Sequence, residues 1–156
     1  MIFELARESD FEAVNRLARQ VAAHHAQWDA DIQFVDQPYP MDWFQACIQE
    51  DSIHESVIYV ARQDETVVGY MRFYLWHTNS TMTEKRTMLS IDDIGVDESL
   101  RHQGIGTQMM DSLRTLAKEW GCSNLCLYVD APNDSAISFY QKCGFQARNI
   151  GMRMKL

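Results

Sequence analysis

Val96-Asp97-Glu98-Ser99-Leu100-Arg101-His102-Gln103-Gly104-Ile105-Gly106 is the stretch on which the fold of this chain turns. It joins an apolar strand, Met88 to Val96, to the clearest helix in the sequence, Gly104 to Trp120. Ile105, Met109, Leu113, Leu116 and Trp120 give that helix an apolar stripe, and Gly121 stands where a left-handed C-cap belongs. Gly104 and Gly106 remove side chains where the backbone must come close to something. The first-turn amides of a helix lack internal partners, so they form a ready anion site, and Arg101 adds a positive charge beside it. Two readings stay open: a pyrophosphate cradle, or a tight strand-to-helix turn and nothing more. A Walker loop is excluded because Thr107-Gln108 follows Gly106, and a dinucleotide fingerprint because Met109 fills the third small position.

Outward from that turn, strands and helices alternate. Ile2 to Ala6 reads as a first strand, and Ser9-Asp10-Phe11-Glu12 fits a capping box before the apolar spacing Phe11, Val14, Leu17, Ala18, Val21. The polar stretch Asp29 to Pro40 reads as a loop, and Met41 to Gln49 as a short helix. Ser56 to Arg62 and Thr66 to Trp76 are strands joined by a tight turn at Gln63-Asp64-Glu65, followed by a polar loop from His77 to Arg86. Beyond the long helix come a strand from Leu125 to Val129, a short helix from Asn133 to Cys143 closed by Gly144, and one or two final strands within Phe145 to Leu156. This order predicts a mixed α/β sheet in a single domain over residues 1–156.

Composition narrows the function. With 156 residues the chain buries one core, and a formal charge of −8 repels phosphate backbones, which argues against nucleic-acid partners. No apolar run approaches the roughly 20 residues that span a bilayer, and no secretory leader is legible at the start, so no membrane and a cytoplasmic location are expected. Cys47, Cys122, Cys126 and Cys143 form no CxxC pair and read as reduced thiols with a packing role. The scattered histidines, with His24-His25 on a partly exposed helix face, give no expectation of a metal.

Arg101-His102-Gln103-Gly104-Ile105-Gly106, after Asp92-Asp93-Ile94-Gly95-Val96, resembles motif A of the GCN5-related N-acetyltransferases, Arg/Gln-x-x-Gly-x-Gly/Ala. Asn133-Asp134-Ser135-Ala136-Ile137-Ser138-Phe139-Tyr140-Gln141-Lys142-Cys143-Gly144-Phe145 resembles motif B of the same family. The resemblance covers nearly the whole chain. It implies a mostly antiparallel sheet of about six or seven strands, with strands four and five splayed apart, and about four flanking helices.

It also implies a chemistry: an acetyl group passes from acetyl-CoA to an amine by direct attack, with no covalent enzyme intermediate. By that resemblance the cofactor contacts fall on Ile94, Gly95 and Val96, on Arg101, His102, Gln103, Gly104, Ile105, Gly106 and Thr107, and on Asn133, Ser135, Phe139 and Tyr140. The Val96 N–H would polarise the thioester carbonyl, in the manner of an oxyanion hole. Tyr140 matches the family's general acid, and the alternative reading is a packed core aromatic. Asn133 stands where a helix N-cap belongs, and both roles are compatible. Asp92 falls at the register of the family's base, sharing parity with Ile94 and Val96, and a bulge would exchange it with Asp93.

By the same resemblance substrate selection falls to the first two helices and their loop, which here hold Trp28, Phe34, Tyr39, Trp43 and Phe44 with Asp29, Asp31 and Asp36; these suit a cationic amine, although such aromatics also pack on a sheet. Three functions stand at this stage: a small-molecule amine acetyltransferase, an acetyltransferase of protein N-termini or lysines, and a non-catalytic acetyl-CoA-binding module. The resemblance, whose members are often dimers, also implies a homodimer, across which the alternating tail from Ile150 to Leu156 could pair.

Overall fold

The computed structural model describes residues 1–28, 37–78, 84–152 and 154. Five strands, β1 (Ile2–Leu5), β2 (Val57–Gln63), β3 (Thr66–His77), β4 (Thr87–Val96) and β5 (Asn124–Leu127), lie side by side in chain order. The first four pair antiparallel, and β5 runs parallel to β4. Parallel neighbours need a crossover, and it is supplied by α3 (Ile105–Glu119). The other helices are α1 (Phe11–His25), α2 (Met41–Cys47) and α4 (Asp134–Lys142).

Local chemistry explains the punctuation. Asp64 and Glu65 link β2 to β3 with φ of 44° and 65°, the left-handed pair that a two-residue hairpin loop requires. The expected Ser9–Glu12 capping box does not form. Asp10 instead accepts the Arg7 N–H at 2.9 Å and the Arg62 guanidinium at 2.8 Å, while Glu4 accepts Arg62 Nε at 3.0 Å. Asp10 and Arg62 are both buried, so this long-range ion pair pins α1 to the β1–β2 edge and takes the cap position for itself.

The sheet is covered on both faces, which is why β2 and β3 read as nearly continuous apolar runs. Met71, Phe73, Leu89, Met109 and Leu113 fill one side, beneath α3. Val14, Leu17, Phe44, Ile58 and Tyr70 fill the other, beneath α1 and α2. The final strands expected after Phe145 are absent among the described residues, which makes five strands rather than six or seven. Ile150 and Met152 instead stand 91% and 95% exposed.

Candidate active site

β4 and β5 pair only from Met88–Asn124 to Ile91–Leu127. There β5 ends while β4 runs on to Val96, leaving a gap at the centre of the molecule. The Asp97 N–H donates to the Val68 carbonyl at 2.9 Å, so strand alternation turns the Val96 and Ile94 N–H groups away from β3 and into the gap. A cleft of about 160 Å³ occupies it, walled by Asp92, Asp93 and Ile94 from β4, by Tyr128 and Val129 beyond β5, and by Asn133 and Tyr140 of the α4 segment.

The turn after β4 is braced by its own side chains. Asp97 accepts the Ser99 N–H at 3.1 Å and its hydroxyl at 2.7 Å and pairs with Arg16. These Ser99 bonds and then Arg16 hold the Asp97 carboxyl below the usual range. Arg101 Nε donates to the Val96 carbonyl at 3.3 Å, which ties the guanidinium to the end of β4. His102, Gln103, Gly104 and Thr107 are exposed, and Ile105 is buried. The two glycines serve different ends. Gly104 has φ of 83°, and a Cβ there would meet nothing within 4 Å, so the N-terminus of α3 faces open space. At Gly106 a Cβ would come to 3.3 Å from the Phe139 ring, so this glycine lets α4 close on α3. The amides beside Gly104 therefore fit an anionic group such as the CoA pyrophosphate.

Deeper in the gap, β4 carries a bulge. Arg72 pairs with Asp93 and Phe73 with Ile91, leaving Asp92 as the inserted residue. The parity with Ile94 expected for Asp92 is thereby broken. Its carboxylate accepts Arg72 Nη1 at 2.7 Å. Asp93 Oδ2 accepts the Tyr39 hydroxyl at 2.7 Å and the Tyr70 hydroxyl as well. Burial, followed by the Asp93 charge, raises the pKa of both tyrosines. Tyr140 stands across the cleft, its phenol pushed up to about 12 by burial and then by Asp93. Its ring also packs against Phe139 and Phe145, so Tyr140 is at once a packed aromatic and part of the cleft wall. Asn133 is buried and accepts the Ala136 N–H at 3.1 Å as the cap of α4, with the Ser135 hydroxyl on the same oxygen.

Residues 6–145 match the model of the acetyltransferase (GNAT) family. The chain belongs to that family. Among its GNAT relatives, the mouse (Mus musculus) thialysine N-epsilon-acetyltransferase is 30% identical over 148 residues, covering 90% of this chain and 81% of that protein. A solved Bacillus halodurans protein superposes with a TM-score of 0.91 at 27% identity, over 100% of this chain and 99% of the other. An aminoglycoside N-acetyltransferase solved in complex with CoA shares the fold, with a TM-score of 0.69 at 16% identity over 99% of this chain and 100% of that one. The chain spans less than half the length of some curated relatives that it matches.

Within this GNAT frame, several residues of the site lay outside the sequence reading. His25, at the end of α1, approaches Asp130 to 3.8 Å, and both line the cleft. Tyr70 and Arg72 enter from β3, and their signal was the period-2 placement of polar tips on one face of that strand. Of the expected selectivity residues, Phe44 is a core side chain and Tyr39 is buried, whereas Trp43 is half-buried and stacks on Tyr39. Asp29, Asp31, Phe34 and Asp36 lie outside the described residues. All four cysteines are free thiols. Among the described residues no three His, Cys, Asp or Glu side chains gather as a metal site, and no helix is long and apolar enough to cross a membrane.

Proposed function

We propose that this chain acetylates the primary amine of a small molecule, taking the acetyl group from acetyl-CoA by direct attack. The observation that carries the reading is the unpaired length of β4 beyond Ile91, from which Asp92, Asp93 and Ile94 line the same cleft as Tyr140. Acetyl-CoA, when bound, supplies an activated acetyl thioester. The amides from Gln103 to Thr107, with Arg101 and His102, hold its pyrophosphate, and Ile94 to Val96 pair with its extended arm. Asn133, Ser135 and Phe139 shape the wall beside it. The Val96 N–H donates to the carbonyl oxygen as negative charge gathers there, an interaction whose loss costs about 10²–10³ in rate.

An amine attacks only after losing a proton. Asp92 takes that proton through a water, and Asp93 stays fixed by its two tyrosines. The amine nitrogen bonds to the carbonyl carbon, the C–S bond breaks, and Tyr140 gives its proton to the departing thiolate. A phenol with a raised pKa is still protonated at neutral pH, as this step needs. The likeness to the thialysine acetyltransferase over most of both chains supports a small amine as acceptor. Four free thiols suit a reducing, cytoplasmic setting.

Thiol release from acetyl-CoA, measured with thialysine and with a lysine-containing peptide, tests this. The reading expects turnover with the small amine. Turnover with the peptide alone would favour a protein acetyltransferase, and CoA binding without release for any amine would leave a binding module.

A further inference from the structure

The two β4 acids of the cleft have fixed partners. Asp92 bonds Arg72, and Asp93 accepts the Tyr39 and Tyr70 hydroxyls. A different pair stands on the same wall. Among the described residues His25 is the one side chain that α1 contributes to it, and its Nδ1 lies 3.8 Å from Asp130 Oδ2. That is too long for a hydrogen bond but close enough for charge to be felt. The two side chains are 40% and 47% exposed, so they border both the cleft and the solvent. On its own helix His25 adjoins His24, and the Trp28 ring lies 6.3 Å away; Asp92, Asp93 and Tyr140 share its cleft. Imidazole is the side chain that binds and releases a proton near neutral pH.

We propose that His25 carries the amine's proton out of the cleft, receiving it from Asp92 through cleft water and releasing it to the solvent, with Asp130 as the residue that positions the imidazole. The proposal rests on the acetyl transfer proposed above. A carboxylate is a poor resting place for a proton taken from an ammonium group, since their ordinary pKa values lie about six units apart, against about four for an imidazole. A proton kept on Asp92 would also break its pair with Arg72. The shared cleft of about 160 Å³ has room for several waters. One water passes the ammonium proton to the Asp92 carboxylate, and another passes it on to Nε2 of the neutral ring, whose Nδ1–H points to Asp130. The imidazolium then faces that carboxylate, gives one proton to bulk water and returns to the neutral ring. Only N–H and O–H bonds form and break along this path.

Thiol release from acetyl-CoA with saturating thialysine, followed from about pH 8 to about pH 5, tests the relay. Wild-type kcat should fall on acidification, because a protonated ring accepts nothing. His25→Gln keeps a polar side chain of similar reach at a half-exposed helix end. It should lower kcat near pH 8 about tenfold or more, flatten the acid limb and leave calorimetric CoA affinity within about twofold. Added imidazole should raise this variant's rate severalfold and leave the wild type unchanged. His24→Gln should keep the wild-type rate and limb. Asp130→Asn should slow turnover less, and the double variant should be no slower than His25→Gln alone, since Asp130 acts through His25. A His25→Gln enzyme with wild-type kcat and an unchanged limb would overturn the relay. So would a loss that imidazole does not restore, or additive losses in the double variant. No thiol release by the wild type would remove the acetyl transfer itself and the relay with it, so the two failures are told apart.

Discussion

Arg72 faces Asp93 in the register of β3 and β4, yet its guanidinium bonds Asp92, the extra residue of the bulge, at 2.7 Å. The two aspartates are thus sorted by partner. One is held by a cation in the half-open cleft, and the other by two buried phenols. This sorting separates the roles of neighbours that are chemically identical.

Replacing Asp92 by Asn should therefore lower kcat/KM by about 10²-fold, the size of one acid–base contribution, and leave the urea midpoint close to wild type. Asp93→Asn should do the reverse in stability. It removes the charged acceptor of Tyr39 and Tyr70 and should cost about 1.5–3 kcal/mol in equilibrium unfolding. Equal kinetic and stability losses in the two variants would contradict the division.

Tyr140→Phe keeps the ring that packs on Phe139 and Phe145 and deletes only the hydroxyl. Turnover should drop by about 10²-fold with CoA affinity unchanged. A collapse of CoA binding instead would make Tyr140 a structural residue.

Alkali should unfold the protein early. Tyr39, Tyr70 and Tyr140 all have pKa values raised by burial, Tyr140 to about 12, whereas tyrosines in the unfolded chain ionise near 10. Above pH 10 the unfolded state binds fewer protons than the folded one, so stability falls as pH rises, and the contribution is fully present below pH 10. Urea midpoints between pH 9 and pH 12 should decline, and Tyr140→Phe should shallow that decline.

Asp10→Ala leaves the Arg62 guanidinium buried, with Glu4 as its remaining carboxylate partner. Breaking a buried pair from one side costs about 3–5 kcal/mol, so a fall of that order in unfolding free energy is expected. A loss below about 1 kcal/mol would mean that the pair is solvated like a surface contact.

Local signals carried most of the architecture. The stripe from Ile105 to Trp120, Gly104, Gly121 and Gly144 at helix ends, and the Asp64-Glu65 turn all rest on contacts within a few residues, and the structure agrees with them. Three features do not rest on such contacts. The bulge at Asp92 depends on the β3 register, which strand alternation does not encode. Asp10 is claimed by Arg62, 52 residues away, so the Ser9–Glu12 pattern lost to a tertiary partner. Tyr39 looked like a loop aromatic, but its N–H bonds Asn15 and its hydroxyl bonds Asp93, which buries it in the site. The tail after Phe145 has the alternation of a strand in its sequence, but among its described residues none is in a strand.

The central claim is that the open N-terminus of α3 grips the diphosphate of CoA. Isothermal titration of CoA into the wild type and into Gly104→Val measures it directly. At φ of 83° the branched side chain costs about 1–2 kcal/mol of stability and fills space that is otherwise vacant, so binding heat in the wild type and at least a tenfold weaker Kd in the variant are expected. Equal affinity in the two proteins, or no heat with the wild type, would contradict the account.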